Sequence, residues 1–134
     1  MILREKIAKS TPKPTYTIPQ LVAELLEAVT ISHKFHLLAQ DRSYASHKAL
    51  EAFYTEIGDH ADDIYEQFSG QENITPVIPD ATINASEPVE YLEKLLNFVE
   101  STRLESSNYS HLQNQMDEVK SLIVGTLYKL RFLK

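Results

Sequence analysis

Apolar residues recur along most of this chain at intervals of three and four positions, which is the spacing of one buried helical face. The clearest stripe lies near the C-terminus, with steps of 4, 3, 4, 4 and 3 residues: Leu112, Met116, Val119, Ile123, Leu127 and Leu130. No segment alternates apolar and polar residues with the period of two that is typical of a half-buried strand. The pattern therefore predicts an all-α fold with four helices, at about 18–39, 44–69, 87–106 and 110–132.

Capping and stop signals agree with these boundaries. Thr17 and Gln20 have the spacing of a capping box at the start of the first helix. Gly70 is expected to end the second helix, because glycine readily adopts the left-handed conformation found just past a helix. Ser86 and Ser110 are expected to precede the third and fourth helices as N-cap residues.

The segment 71–86 is predicted to be a crossover linker, because it contains Pro76 and Pro79 and has no helical period. A helix of about 25 residues is roughly 37 Å long. Sixteen extended residues span about 50 Å, so this segment can cross the whole length of a bundle. The sequence thus predicts a four-helix bundle with a long connection between its second and third helices, which is the ferritin-like topology.

Composition limits the class of protein further. The 134 residues, 43% of them hydrophobic, suffice for one domain with a core, placed at 17–134. Cysteine is absent, which excludes a disulfide framework and thiolate metal sites. The chain has no signal-like apolar region at its start and no apolar run of about 18 residues, so we expect neither secretion nor membrane insertion, and a cytoplasmic location.

The first sixteen residues differ in charge from the rest of the chain. The whole chain has a net charge of −6, which is unlike a nucleic-acid-binding domain with a basic surface. Residues 1–16 are instead expected to form a flexible basic tail, whose cations are Arg4, Lys6, Lys9 and Lys13. Two interpretations stay open: an ordinary solvated tail, or an arm that touches nucleic-acid phosphates when many copies assemble.

Candidate metal ligands are concentrated in the second predicted helix. His47 and Glu51 are about 40° apart on that helix, and so are Asp62 and Glu66. All four border the apolar stripe, and His36 lies on the inner side of the first helix. Each acidic residue taken alone is more commonly a solvated charge. Together, imidazole and carboxylate groups at this spacing are ligands suited to iron, manganese or zinc.

The length of the second helix determines how these ligands can combine. Glu51 and Asp62 are 11 residues apart, or about 16 Å along a straight helix. Metal ligands lie about 2.0–2.6 Å from the ion, so the two ends of the helix cannot share one ion. A second copy could pack antiparallel, related by a two-fold axis near Ile57. The His47 and Glu51 end of each helix would then meet the Asp62 and Glu66 end of the other, at two places. The spacing therefore favours two equal sites between two subunits.

The same segment resembles a known family. The Dps-type ferritin-like proteins (DNA-binding proteins from starved cells) have a histidine pair, then His, an acid at +4, Asp at +11 and Glu at +4; the matching residues are His33, His36, His47, Glu51, Asp62 and Glu66. The resemblance implies a di-iron ferroxidase site between subunits, with His36, His47 and Glu51 from one chain and Asp62 and Glu66 from its partner. It also implies DNA binding and a dodecameric cage.

The chain departs from the Dps pattern in three places. Leu37 stands where that family usually has Trp, and the gap from His36 to His47 is one residue shorter. The linker 71–86 is too short for the family's additional helix. In these respects the chain is similar to small ferritin-like proteins encoded by bacteriophages, which implies the host cytoplasm or the virion as its location.

Three further residues flank the predicted ligands. His33 is either a hydrogen-bonding partner of the site or a surface residue. Tyr54 is either a core aromatic or an electron donor during iron oxidation, and His60 is an interfacial residue or an additional partner of the site. The function hypotheses are therefore an iron-oxidising oligomer, a non-catalytic helical oligomer of phage origin, or an oligomer that binds DNA through its tail.

The substitution Asp62→Asn tests the site hypothesis directly. We expect it to abolish retention of the metal and to leave the helices intact, because an amide is a much weaker ligand for a hard cation than a carboxylate. Metal analysis after gel filtration and far-ultraviolet circular dichroism measure the two effects. Stoichiometric iron retained by the variant would contradict the assignment.

Overall fold

The computed structural model describes residues 17–39 and 43–134. Within these ranges it contains no strand and four helices: α1 (Thr17–Leu37), α2 (Tyr44–Glu72), α3 (Pro88–Thr102) and α4 (Ser110–Phe132). The predicted all-α class with four helices is confirmed. None of these helices is both long and apolar enough to cross a membrane. The predicted basic tail, with Arg4, Lys6, Lys9 and Lys13, lies outside the described residues.

The end of α2 differs from the prediction. The helix continues through Gly70 to Glu72, and Gly70 does not have a positive φ. Asn73 ends the helix in the left-handed conformation, with φ 56°, and its N–H donates to the carbonyl of Ser69. Asparagine tolerates this conformation better than most residues do, so it can replace glycine at a helix end. The prediction that Gly70 ends the helix was therefore wrong.

The predicted N-cap residues are also displaced by one position. Glu87, not Ser86, caps α3, and its carboxylate accepts hydrogen bonds from the N–H groups of Val89 and Glu90. Tyr109 precedes α4 and makes no side-chain capping bond. A carboxylate is favourable at this position because it satisfies free N–H groups and opposes the positive end of the helix dipole.

The first helix lacks the predicted capping box. The Gln20 amide donates to the Glu24 carboxylate at 2.7 Å and to the carbonyl of Asp80 at 3.0 Å. The Thr17 hydroxyl instead contacts Glu105, in the α3–α4 connection. Long-range contacts with other segments therefore replace the local capping pattern.

Apolar stripes from all four helices form one core. Its largest fully buried side chains include Phe53 and Phe68 of α2 and Tyr91 of α3. Helix α1 packs against α2 and α3, and α4 packs against the same two helices. The stripe predicted for the last helix is buried, as its spacing required.

The connection between α2 and α3 follows α1 from one end of the bundle to the other. Near its start, the Tyr65 hydroxyl of α2 donates to the carbonyl of Pro76 at 2.9 Å. Near its end, Asn84 and Ala85 line a cavity together with Ile31 and Phe35 of α1. Helix α3 therefore begins at the end of the bundle where α2 began, and it runs parallel to α2.

A buried carboxylate attaches this crossover to α1. Glu24 is 1% exposed. It accepts hydrogen bonds from the N–H of Thr82 at 2.9 Å and of Ile83 at 3.1 Å, and also from the Thr82 hydroxyl and the Gln20 amide. A buried charge is stable only when it is well hydrogen-bonded, and these donors meet that requirement.

We expect Glu24→Ala to destabilise the protein by about 2–3 kcal/mol, because it removes the charged acceptor of two backbone N–H groups of the crossover, those of Thr82 and Ile83. Urea unfolding followed by circular dichroism measures the change. Glu27→Ala, at an exposed position of the same helix, is the matched control. We expect it to stay within about 0.5 kcal/mol of wild type. Equal effects of the two substitutions would contradict the role given to Glu24.

Candidate metal centre

Three of the predicted ligands meet where α1 ends and α2 begins. His36 lies in the last turn of α1, and His47 and Glu51 lie in the first two turns of α2. Antiparallel packing of the two helices brings these turns together. The ligand atoms that the three side chains offer all lie within 4.8 Å of one another. His36 is buried, and His47 and Glu51 are half-buried.

The two imidazole rings hold each other in place through the backbone. His36 Nδ1 lies 2.8 Å from the carbonyl oxygen of His47, and His47 Nδ1 lies 3.1 Å from the carbonyl oxygen of His36. A carbonyl oxygen can only accept, so each Nδ1 carries the proton and donates it. In a neutral ring with this tautomer, the lone pair lies on Nε2. The rings also stack, with centroids 3.8 Å apart.

This arrangement suits metal binding for a definite reason. Histidine ligands in proteins commonly donate their second ring N–H to a carbonyl or a carboxylate, which fixes both the tautomer and the orientation of the ring. Here both rings meet that condition without any bound ion. Two imidazole nitrogens and one carboxylate are donors that fit iron, manganese or zinc, and they leave coordination positions open.

Glu51 already binds a cation of the same chain. The Lys48 ammonium lies 2.7 Å from its carboxylate, and both side chains are partly exposed. The hydrogen bond from Lys48 is the largest factor that lowers the pKa of Glu51, and its positive charge is the next. The same hydrogen bond raises the pKa of Lys48. Glu51 is therefore an ionised donor, and the Lys48 ammonium occupies one of its two oxygen atoms, Oε2.

His33 and Tyr54 form the next layer around the centre. The exposed His33 ring stacks on the Tyr54 ring at 4.2 Å, and the edge of Tyr54 meets His36, with centroids 5.3 Å apart. These contacts restrict the His36 ring from its other side. Both residues thus lie beside the His36 ring.

The other two predicted ligands are far from this cluster within one chain. Asp62 and Glu66 are exposed on the second half of α2. From Glu51, Asp62 is about 16 Å along the axis, as the length of the helix requires. The two carboxylates line a groove of about 150 Å³ together with apolar residues of α1, α2 and the crossover: Val22, Leu26, Ala61, Tyr65 and Ile78.

His60 lies on a different side of α2 and faces α4. Its Nδ1 is 3.8 Å from the Glu118 carboxylate, and it lines an open cleft with Glu56 and Asp117. It is not among the residues that the structure brings together around His36. Its position follows from its place on the helix, about 180° from Glu51.

Two features of the centre were missed from the sequence. The first is Lys48, which the Lys-x-x-Glu spacing with Glu51 could have indicated, since residues three apart on a helix are neighbours. The second is the pair of bonds between each histidine ring and the other histidine's carbonyl. Those bonds depend on how the two helices meet, and no local sequence signal encodes them.

The substitution Lys48→Gln tests whether the ammonium competes with a metal ion. We expect Co²⁺ or Zn²⁺ to bind roughly two- to fivefold more tightly, because the substitution removes one exposed positive charge that repels the metal ion. Isothermal titration calorimetry measures the affinity. The matched control is Lys94→Gln, which breaks the Lys94–Glu90 pair of 3.1 Å on α3. Equal affinities for the two variants would show that Lys48 does not compete.

Comparisons with known proteins give a family and one viral relative. Over 111 residues the chain is 27% identical to an uncharacterized 14.6 kDa protein from the mobD–ri intergenic region of Enterobacteria phage T4, covering 81% of this chain and 80% of the relative. That similarity agrees with the expected link to phage-encoded proteins. No solved structure matches the chain. A family model matches residues 36–130, a range that includes all five predicted ligands, so the chain belongs to a family of unknown function (DUF5856).

Proposed function

We propose that this protein binds ferrous ion at a dinuclear site shared between two copies of the chain, and that it oxidises the ion there. The observation that carries the proposal is the reciprocal bonding of His36 and His47. It leaves both Nε2 atoms free beside the ionised Glu51. Manganese and zinc suit the same donors, so the experiment has to measure oxidation as well as binding.

The charges along α2 favour an antiparallel second copy. The histidines and Lys48 lie toward the start of the helix, whereas Asp62 and Glu66 lie toward its end, in the same exposed sector. In an antiparallel pair, the end that carries the imidazoles and Lys48 faces the Asp62 and Glu66 carboxylates of the partner. Such a surface is complementary to itself, which is the requirement for a two-fold interface.

The shape of the same face supports the same arrangement. Leu37 is 62% exposed, directly after His36. The groove beside Asp62 is lined by Leu26, which lies on the same stripe of α1 as Leu37, 11 residues earlier. In the antiparallel pair, Leu37 of one chain comes to the groove of the other. A protruding side chain and a recess at matching positions are what a self-complementary interface needs.

One axis satisfies both pairs of residues. The midpoint between Leu26 and Leu37 falls just after residue 31, and the midpoint between Glu51 and Asp62 falls just after residue 56. These two positions lie at the same height in the packed pair of α1 and α2, because Gly58 of α2 faces Val29 of α1. A β-carbon added at Gly58 would lie only 3.4 Å from the Val29 side chain. A two-fold axis at this level therefore joins the ligand sets and fills the groove at the same time.

The protein's part in the reaction is to hold two ferrous ions and to offset their growing charge. Each ferrous ion loses one electron, and two such electrons with two protons reduce one dioxygen to hydrogen peroxide. The carboxylates Glu51, Asp62 and Glu66 favour the ferric product because they are anionic oxygen donors. The imidazoles are held in one orientation, which keeps the open positions accessible to the oxidant.

The phage relative supports a phage-encoded protein that acts in the cytoplasm of the host. The structural alternative is that the same residues form ion pairs in a non-catalytic helical oligomer, and the Lys48–Glu51 pair is the observation that favours it. Retained metal separates these two possibilities. A dimer that neither retains nor oxidises iron would favour the structural role.

The experiment is aerobic oxidation of ferrous ion followed by absorbance, with two inactive variants that complement each other. The first variant, His36→Ala with His47→Ala, breaks one half of each shared site. The second, Asp62→Asn with Glu66→Gln, breaks the other half. We expect both to be inactive alone. After the two are unfolded and refolded together in equal amounts, we expect about a quarter of wild-type activity, because half the dimers are mixed and each of these has one intact site.

Each variant unfolded and refolded alone is the control for this experiment. Activity of the Asp62→Asn, Glu66→Gln protein by itself would contradict a shared site. So would the absence of any recovery in a mixture whose helices and dimers are shown to be intact.

A further inference from the structure

The outer face of α4 exposes an apolar stripe that nothing in the single chain covers, among the residues that the structure describes. Val124, Tyr128 and Phe132 are 46%, 56% and 68% exposed. They are spaced four residues apart, so they follow one side of the helix. The Tyr128 and Phe132 rings also contact each other, with centroids 5.5 Å apart. The stripe lies opposite the buried face of α4, a helix that contributes no ligand to the candidate metal centre.

The middle of this face is open to close approach by another helix. Gly125 is exposed, and a Cβ added there would meet nothing within 4 Å. Glycine weakens the interior of a helix and is not needed here by any neighbour in the chain. Ser121 lies one turn earlier on the same side. Together they leave a shallow strip between the larger side chains.

The charges on this face have opposite signs at its two ends. Asp117 and Glu118 precede the strip, and Lys129 and Arg131 follow it. A parallel second copy of α4 would bring like charges together, whereas an antiparallel copy brings opposite charges together. Three charged residues of α4 already bind partners within the chain: Asp117 binds Arg103 at 2.6 Å, Arg131 binds Glu93 at 3.1 Å, and Lys120, whose sign does not fit this pattern, binds Glu100 at 3.3 Å. The charge complementarity therefore rests mainly on Glu118 and Lys129.

We propose that α4 packs against α4 of a second copy in antiparallel orientation, around a two-fold axis between Val124 and Gly125. At this register Asp117, which binds Arg103 of its own chain, comes level with Phe132 of the other copy. Glu118 falls within about 3 Å, along the axis, of Lys129 of the other copy. The tyrosine of each chain packs over the open strip of the other at Ser121.

A second copy fits this face better than an anionic membrane does. The C-terminal end of the stripe alone, basic and aromatic, has the composition of a helix that lies on a membrane surface. The acidic pair Asp117 and Glu118 on the same face would be repelled by anionic lipid. The antiparallel copy accounts for the acidic and the basic ends together.

This interface is separate from the one in the proposed function. The first uses α1 and α2, and the second uses the outer side of α4. Two different two-fold interfaces on one chain produce an assembly larger than a dimer, either a closed one such as a tetramer or a hexamer, or an open chain, depending on how the two axes are placed. The α4 interface requires neither the metal nor the first interface.

The mass of the assembly, measured by sedimentation velocity in the presence of a chelator, tests the proposal. We expect Tyr128→Glu to halve the mass of the wild-type assembly or to reduce it further. Leu37→Glu instead disrupts the proposed interface between two copies that uses α1 and α2. Its effect therefore tests the proposed function and not the α4 interface. A folded Tyr128→Glu protein with the wild-type mass would overturn the proposal, whatever Leu37→Glu does.

Charge reversal tests the orientation. Glu118→Lys and Lys129→Glu should each weaken association at low salt. The double variant should restore it, because both copies exchange their charges together. Single variants that associate like wild type, or a double variant that associates no better than the single ones, would overturn the antiparallel register.

Cross-linking tests the position of the axis, and the absence of cysteine from the chain makes it selective. We expect Val124→Cys to form covalent dimers with a short thiol cross-linker, because residues near a two-fold axis face their own copy. Leu104→Cys, at an 84% exposed position after α3, is the control and should remain monomeric on a denaturing gel. Equal cross-linking of both variants, or binding to anionic vesicles without self-association, would overturn the proposal.

Discussion

The antiparallel packing of α1 against α2 is the contact on which the rest of this structure depends. It buries apolar side chains such as Leu25 and Ile57 completely, and it places the Val29 side chain against Gly58. Because the two helices are joined by a short connection, the same packing fixes the end of α1 beside the start of α2. The histidines therefore meet as a consequence of core packing, and the candidate centre rests on rigid helices, where side chains are held more firmly than on loops.

The crossover carries the second constraint, which is the direction of α3. The fifteen residues 73–87, which have no regular structure, would lose much of their freedom on folding, and that loss has to be offset by contacts along the way. Glu24 makes the largest group of them, from a buried position on α1 to the backbone of Thr82 and Ile83. A charged acceptor is effective here because it satisfies several backbone donors at once.

Bonds within the chain hold the side chains of the candidate centre in one arrangement. The ring nitrogens of His36 and His47 are oriented by each other's carbonyl groups, and the Glu51 carboxylate is kept ionised by Lys48. The fixed orientation of the two rings would lower the entropic cost of binding a metal ion. The Lys48 ammonium would oppose binding, because it competes for the Glu51 carboxylate. The balance between them makes affinity adjustable by a single exposed residue, without any change in the core.

The sequence by itself determined the four helices, the core stripe of α4, the crossover, and the sides of α2 on which His47, Glu51, Asp62 and Glu66 lie, because helical period is a local property. It did not determine that Asn73 ends α2, that Glu87 caps α3, or that Lys48 binds Glu51, since neighbouring candidates competed for each role. Only the tertiary structure decided that His36 and His47 hold each other through their carbonyls and that Glu24 anchors the crossover. Those bonds join residues 11 and 58 positions apart, and their geometry exists only after the helices have packed.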